Sequence, residues 1–110
     1  MFLARVKGHV VATAKDPSIK GHRLLIVEPL KVDYDDTKAA ANAPAGGGGR
    51  LDVTGRAIVA MDSIGAGEGQ LVLVVQGSSA RMAEGLNKIP VDAVVIGIVD
   101  EAVVMGKRVN

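Results

Sequence analysis

Apolar and polar side chains alternate along the first strand-like segment of the chain. Small or apolar residues fall on one face, and Arg5, Lys7, His9 and Thr13 fall on the other. A period of two is typical of a β-strand that buries one face. The pattern therefore predicts a first strand whose buried side comprises Phe2, Ala4, Val6, Gly8, Val10 and Ala12.

Further strand-like segments follow, separated by turns that contain glycine or proline. Arg23–Leu30 is short and apolar, and Pro29 is expected near its end or on a sheet edge because proline cannot donate to a ladder. Gly55 is expected to bend or bulge the segment that contains it. The other predicted strand segments are Leu51–Asp62, Gln70–Val75 and Val91–Val99, with a final strand or extension from Ala102.

Two segments lack this pattern. Ser78–Asn87 predicts the only helix of the chain, with Ser78 or Ser79 as its N-cap. Residues 31–50 combine acidic residues, alanines and four consecutive glycines without an apolar period, which predicts a long, flexible surface loop. The pieces on either side of this loop are too short to fold alone, so residues 1–110 are expected to form a single domain.

The number and order of these segments predict the fold class. Five or six strands, one short helix and no alternation of strands with helices indicate an all-β fold, a small antiparallel barrel. Hydrophobic residues make up 48% of the chain, but it has one Phe, one Tyr and no Trp. The apolar residues are thus mainly Val, Ile, Leu and Ala, which favours strands and permits a surface that is buried against other copies of the chain.

Charge and cysteine content exclude several classes of function. A net charge of +1 and the scarcity of aromatic residues supply neither the basic groove nor the stacking platforms of a barrel that binds single-stranded nucleic acid. The absence of cysteine removes disulfides, thiolate nucleophiles and cysteine-ligated metals. No apolar run reaches the ~18 residues of a membrane span, and the N-terminus does not resemble a signal peptide. We therefore expect a cytoplasmic protein without membrane contact.

A glycine-rich segment precedes one of the predicted strands. Gly65, Gly67 and Gly69 alternate directly before the apolar run Leu71–Val75. A dinucleotide-binding loop has the spacing G-x-G-x-x-G and leads into a helix, and a P-loop ends in Gly-Lys-Ser or Gly-Lys-Thr. Neither pattern is present. The segment therefore predicts a tight turn with a bulge between two strands.

No set of side chains has catalytic or metal-binding spacing. His9 and His22 have no cysteine partners and are expected to be solvated surface residues. Ser78, Ser79 and Arg81 have no histidine or lysine within local reach to serve as a base, and helix capping explains the serines. We therefore expect neither an enzyme nor a protein that binds a cofactor or a metal.

Two segments together, AMDSIGAGEGQLVLVVQGSSAR and PVDAVVIGIVD, resemble the EutN/CcmL family, the pentameric vertex proteins of bacterial microcompartment shells. The most specific matches are Gly65-Ala66-Gly67, the motif from Gly77 to Arg81, and Pro90–Asp100. The resemblance covers nearly the whole chain. It departs from the family at residues 31–50, where the run of alanine and glycine is longer and less distinctive.

The resemblance implies a five-stranded OB-like barrel with a structural, non-enzymatic role. It also implies a homo-oligomer, a pentamer, that caps the vertices of a carboxysome-like or metabolosome shell in the bacterial cytoplasm, beside hexameric shell proteins. A flat hexagonal sheet cannot close without points of five-fold symmetry, so such a corner needs cyclic self-association. The alternative is an OB-like module that binds a ligand or single-stranded nucleic acid.

The same resemblance suggests a contact role for the first of the two glycine motifs. Gly65, Ala66 and Gly67 have almost no side chain, so they suit a place where backbones crowd together. A subunit interface or the rim of an axial pore is such a place. A plain turn without a role between subunits is the alternative.

The second motif is expected to dock neighbouring shell tiles. Arg81 can donate several hydrogen bonds at once to the backbone carbonyls of a tile, because its guanidinium is a planar fork. An ion pair within the chain, from Arg81 to Asp62 or Glu84, is the alternative. The residues of this motif are Gly77, Ser78, Ser79 and Arg81.

Overall fold

The computed structural model describes residues 1–13, 15–19, 21–33, 49–77 and 91–110 as an almost entirely β structure. A 3-10 turn, Pro17–Ile19, precedes the second strand. No helix in these residues is long and apolar enough to cross a membrane. The strands in chain order are β1 Phe2–Val10, β2 Arg23–Asp33, β3 Arg50–Val53, β4 Ile58–Asp62, β5 Leu71–Gln76, β6 Ala93–Ile98, β7 Val103–Val104 and β8 Lys107–Arg108.

Five of the strands close into a barrel. Their order around it is β1, β5, β6, β4, β2 and back to β1. Neighbouring strands are antiparallel except β4 and β6, where Met61 lies opposite Val94 in parallel register. An odd number of strands cannot alternate in direction all the way round a closed ring, so one parallel pair is unavoidable. The predicted all-β, five-stranded, OB-like barrel is confirmed, with this one parallel pair.

Small and β-branched side chains fill the interior of the barrel. A five-stranded barrel has a narrow interior, which suits these side chains better than aromatic ones. Phe2 packs against this core from the side and is partly buried. The core consists of Ala4, Val6, Leu25, Val27, Ala60, Ala66, Val72, Val74, Ala93 and Val95.

A β-bulge at Lys7 changes which side of β1 faces the core. Val6 lies opposite Val27 and Gly8 lies opposite Ile26, so Lys7 is an extra residue in β1. An inserted residue reverses the alternation of a strand, so Gly8 and the residues after it point to the opposite side from the predicted one. The predicted buried face is therefore right up to Val6 and wrong for Gly8, whereas His9 is still exposed as predicted.

The second strand is longer than the sequence predicts. It continues beyond Leu30 to Asp33 because β3 pairs with this end of β2, with Asp33 opposite Arg50. The loop predicted over residues 31–50 is therefore wrong at both ends. Its central part, residues 34–48, lies outside the described residues.

Pro29 lies inside β2 rather than at its end. The pairing of β2 with β4 extends to Val27, and its pairing with β3 begins at Leu30. Pro29 thus lies at the break between two partner strands, an edge position on that side, where a missing N–H is tolerated. Its carbonyl oxygen accepts a hydrogen bond of 2.7 Å from the Thr54 hydroxyl.

The paired ends of β2 and β3 form a ribbon with a charged face. The Arg50 Nε lies 2.9 Å from a carboxylate oxygen of Asp52, and its terminal nitrogen lies 3.4 Å from Asp33. The hydrogen bond and charge of Asp52 raise the pKa of Arg50. The pKa of Asp52 is lowered, mainly by its hydrogen bond with Asp33 and to a smaller extent by its hydrogen bond with Arg50. These charges largely compensate one another.

A short C-terminal hairpin packs against the start of this ribbon. Val103 lies opposite Arg108 in the hairpin, which confirms the final strand predicted from Ala102. Val104 lies so close to Gly49 that a Cβ atom built there would be 2.5 Å from its Cγ1 atom. The absence of a side chain at Gly49 therefore allows this contact.

The other sequence predictions agree with the strands to within a few residues. The segment 51–62 divides into β3 and β4, with a bend at Gly55 as predicted. The segments 70–75 and 91–99 correspond to β5 and β6. The helix predicted over Ser78–Asn87 lies outside the described residues.

Candidate functional site

One buried carboxylate organises the loop between β4 and β5, residues 63–70. Asp62 is the last residue of β4, and its side chain has no solvent exposure. Its Oδ1 atom accepts hydrogen bonds of 3.1 Å from the N–H groups of Ile64 and Gly65, and its Oδ2 atom accepts one of 2.9 Å from Ala66. One side chain thus satisfies three successive backbone donors, as aspartate commonly does in turns.

Arg23, at the start of β2, balances this buried charge. Its Nη1 atom lies 3.2 Å from the Oδ2 atom of Asp62 and 2.9 Å from the carbonyl oxygen of Ala66. The Arg23 side chain is 55% exposed, so the cation lies at the surface while the anion is buried. A buried carboxylate needs such a partner, because an unpaired one is costly to remove from water.

The second half of the loop is bonded to β1. The N–H of Gly69 donates to the carbonyl of Val6 at 2.8 Å, and the N–H of Val6 donates to the carbonyl of Gln70 at 3.0 Å. Arg5 donates to the carbonyl of Gly69 at 3.1 Å. Gly67 donates to the Gln70 side-chain oxygen at 2.7 Å. Both halves of the loop are therefore held in place within a single chain.

The three residues of the first glycine motif have three different environments. Gly65 has a φ of +87°, a left-handed conformation that residues with a side chain rarely adopt. Ala66 is completely buried in the barrel core. A Cβ atom at Gly67 would lie 3.7 Å from the Gln70 side-chain oxygen, an ordinary contact. Crowding within the described residues therefore does not explain the glycine at position 67.

The glycine segment is not a tight turn between adjacent strands, as its sequence predicts. The strands on either side of it, β4 and β5, are not neighbours but both flank β6. The connection has to pass the end of β6, which a two-residue turn cannot span. A longer loop folded around the carboxylate of Asp62 makes this connection instead.

The second motif is described only at its first residue. Gly77 follows β5, and its N–H donates to the carbonyl of Asp92 at 2.7 Å. Asp62, the alternative ion-pair partner considered for the arginine of this motif, is bonded to Arg23. Outside the described residues lie Ser78, Ser79 and Arg81.

The two histidines border a shallow, open groove together with Lys15 and Arg23. The His9 side chain is 59% exposed, which agrees with its predicted surface position, and its Nδ1 atom lies 3.4 Å from a carboxylate oxygen of Glu68. His22 also lines the groove. Within the described ranges, no three side chains of the metal-ligating types are grouped to hold a metal ion.

Sequence reasoning did not identify Asp62 and Arg23 as the residues that shape the loop. A signal for the aspartate was present, because Asp62 ends a strand and is followed three residues later by Gly65, a common turn pattern. Arg23 gave no such signal, since it is 39 residues away in sequence. Only the closing of the barrel brings the two side chains together.

Comparison with known proteins places this architecture in a family. Residues 1–100 match the family model described as ethanolamine utilisation protein EutN/carboxysome. The chain belongs to the EutN/CcmL family. The family match spans all of the barrel strands, the loop from Ser63 to Gln70 and Gly77.

Members of the EutN/CcmL family with known roles are similar over most of the chain. The bacterial microcompartment shell vertex protein EutN of Salmonella typhimurium is 42% identical over 109 residues, which cover 99% of this chain and 93% of that protein. The carboxysome shell vertex protein CcmL of Synechocystis is 42% identical over 100 residues, covering 91% of this chain and 83% of that protein.

A solved EutN/CcmL structure shares the fold. It is the GrpN pentameric microcompartment shell protein from Rhodospirillum rubrum, which superposes with a TM-score of 0.67 at 34% sequence identity. The alignment covers 94% of this chain and 99% of that chain. The predicted membership of the EutN/CcmL family is therefore confirmed.

Proposed function

We propose that this chain is a vertex protein of a bacterial microcompartment shell, in which five copies form a ring that caps a corner. The observation that carries this proposal is the similarity over nearly the whole chain to family members named shell vertex proteins, together with the similarity to GrpN, which is named a pentameric shell protein. The role is structural rather than enzymatic. The ring belongs to a shell inside the bacterial cytoplasm.

Hexameric shell proteins are the proposed neighbours of the ring. A sheet of six-fold units closes into a polyhedron only where five-fold units interrupt it, so a ring of this kind has hexamers on every side. The proposed contact motif comprises Gly77, Ser78, Ser79 and Arg81. Its arginine offers several donors in one plane, which suits the carbonyls of a neighbouring tile.

The loop around Asp62 is the proposed contact between copies or the rim of an axial opening. Hydrogen bonds hold this loop in one shape in the single chain, so little ordering entropy is lost when it meets a neighbour. Among the described residues, a Cβ atom at Gly67 would make only an ordinary contact, with the Gln70 side chain. A neighbouring copy is therefore the proposed reason for a glycine at this position.

Native mass spectrometry of the purified protein at physiological salt tests the ring. Five copies of the 11.3 kDa chain have a mass of about 56.5 kDa. A single species at this mass is the expected result. A monomer or dimer that persists at all concentrations would contradict the proposal and favour a barrel that binds a ligand or single-stranded nucleic acid.

Arg81→Ala tests the contact with hexamers separately from the ring. We expect the ring mass to be unchanged and the yield of closed shells to fall several-fold on co-expression with a hexameric shell protein, because the ring loses its charge-assisted donors. Arg56→Ala is the matched control, since Arg56 is an exposed arginine on the β3–β4 connection. Equal shell yields from the two variants would exclude the docking role.

A further inference from the structure

A row of apolar residues crosses the strands on one side of the sheet. Val53 of β3 lies opposite Leu30 of β2, and Leu3 of β1 lies opposite Leu73 of β5. The β1–β2 register pairs Ala4 with Pro29, and continued by one residue it places Leu3 opposite Leu30. The four side chains thus form an unbroken row, because residues directly opposite each other share a face.

This row lies on the outer surface of the barrel. Ala4 and Val72, which alternate with Leu3 and Leu73, are completely buried in the core. Successive residues of a strand point to opposite faces, so Leu3 and Leu73 point outward. Both are half-buried in the single chain.

The β2–β3 ribbon extends the outer apolar surface by a second row. Its apolar residues share one face and its charged residues share the other. Val53 is 63% exposed and Val32 is 45% exposed, although both belong to strands. The apolar face comprises Leu30, Val32, Leu51 and Val53, and the charged face comprises Lys31, Asp33, Arg50 and Asp52.

The row of apolar residues ends on β6 at a residue without a side chain. Leu73 lies opposite Gly97, and a Cβ atom at Gly97 would be 3.6 Å from the Leu73 side chain. Ile96 is the extra residue of a bulge in β6 and is 36% exposed. Because Gly97 has no side chain and the Leu73 side chain packs beside it, no side chain projects from this position. This suits close packing against another protein.

We propose that this surface, which we name the apolar band, packs against the neighbouring copy in the ring. The proposal rests on the proposed function, since it needs a ring. The band consists of Leu3, Leu30, Val32, Leu51, Val53, Leu73, Ile96 and Gly97.

The chemistry of the band favours a copy of the same chain over a transient partner. Permanent interfaces between subunits are more apolar than interfaces that form and dissociate, and their centres are depleted of charge. The band crosses five strands without a charged side chain. In a cyclic ring each copy meets the next through two unlike surfaces. The band is one of these two surfaces.

Thiol protection tests the position of the band without disturbing the fold. The chain has no cysteine, so one introduced thiol is the sole site for a maleimide reagent. Val53→Cys places it in the band, and cysteine is close to valine in size and polarity. Val59→Cys is the matched control, because Val59 is an outward-facing strand valine that is 50% exposed and lies outside the band.

The labelling rate of each variant is compared between the native protein and the chain unfolded in urea, after native mass spectrometry has established the mass of the variant. In a ring, we expect the thiol at position 53 to react more than about tenfold more slowly than in the unfolded chain, because it is covered by the neighbour. The control shows how much of any slowing comes from the strand itself. The ratio of the unfolded to the native labelling rate is expected to be larger at position 53 than at the control position.

The two proposals fail in different ways. Suppose that the ring has the expected mass but the thiol at position 53 reacts less than about tenfold more slowly than in the unfolded chain. That result would overturn the proposed role of the apolar band and would not contradict the vertex function. A protein that is monomeric both in its parent form and as Val53→Cys overturns both proposals.

Discussion

At the scale of single residues, Asp62 shows how one side chain defines a loop. Both of its carboxylate oxygens accept hydrogen bonds, from Ile64, Gly65 and Ala66, and Arg23 balances the charge. A carboxylate is suited to this position because it is an acceptor at both oxygens. An amide of the same shape accepts at one atom only.

Asp62→Asn should therefore destabilise the protein. The amide leaves a buried backbone donor without an acceptor and removes the charge that Arg23 balances, so we expect the free energy of unfolding to fall by about 2–4 kcal/mol. Urea denaturation followed by circular dichroism measures this change. Asp16→Asn is the control, because Asp16 accepts hydrogen bonds from Ser18 in an exposed turn. Equal destabilisation by the two variants would mean that burial of Asp62 is not the cause.

Valine substitutions at Gly65 and Gly67 distinguish an effect on the folding of the single chain from an effect on assembly of the ring. Gly65→Val should cost about 1–2 kcal/mol of folding stability, because its backbone is left-handed. Gly67→Val should keep the β-sheet circular dichroism spectrum and lose the ring mass, since a Cβ atom at this position makes only an ordinary contact among the described residues. Native mass spectrometry decides between a ring and single chains. A ring of normal mass with Gly67→Val would show that no neighbour approaches this position.

At the scale of elements, register and contact depend on single positions. One extra residue at Lys7 reverses the faces of the second half of β1. Likewise, the C-terminal hairpin reaches the β2–β3 ribbon because Gly49 has no side chain in the way of Val104. The second of these contacts joins elements that are distant in sequence.

Gly49→Ala should displace this hairpin. The added methyl group would overlap with Val104, so we expect a loss of about 1–3 kcal/mol and a fall in hydrogen-exchange protection that is confined to the hairpin amides. Gly8→Ala is the control in β1, where a Cβ atom would lie 3.9 Å from the Ile26 side chain, an ordinary contact. Unchanged protection of the hairpin with Gly49→Ala would mean that it does not pack on the ribbon.

At the scale of the whole molecule, a closed barrel with an apolar outer surface is consistent with permanent self-association. Closure pairs each of the five barrel strands with two neighbours and leaves no barrel edge free to pair with another copy, so contact between copies falls to the outward-facing side chains. An interface made by such a surface depends little on charge pairs. Its strength should therefore respond weakly to screening by salt.

The ring should accordingly persist when sodium chloride is raised from about 0.1 M to about 1 M, where exposed ion pairs are screened. Sulfate at equal ionic strength should strengthen the ring, because it favours the burial of apolar surface. Sedimentation at a series of protein concentrations measures both effects. Dissociation of the ring at high sodium chloride would show that ion pairs, and not the apolar band, hold the copies together.

Much of the fold could be predicted from local patterns. The alternation in β1, the apolar runs of β5 and β6 and the aliphatic composition predicted an all-β barrel, and the family motifs predicted membership of the EutN/CcmL family. Each of these features is carried by neighbouring residues or by short motifs. They are visible in the sequence because a strand imposes its period of two on consecutive residues.

Other features were decided by tertiary structure alone. The bulge at Lys7, the extension of β2 to Asp33 and the meeting of Arg23 with Asp62 each depend on a partner far away in sequence. The apolar band is a further case, because it becomes continuous only when the strands are placed in register. The sequence by itself determined which segments form strands and to which family the chain belongs. The closing of the barrel decided which side chains meet, since pairing between strands depends on the register of the whole sheet and not on local periodicity.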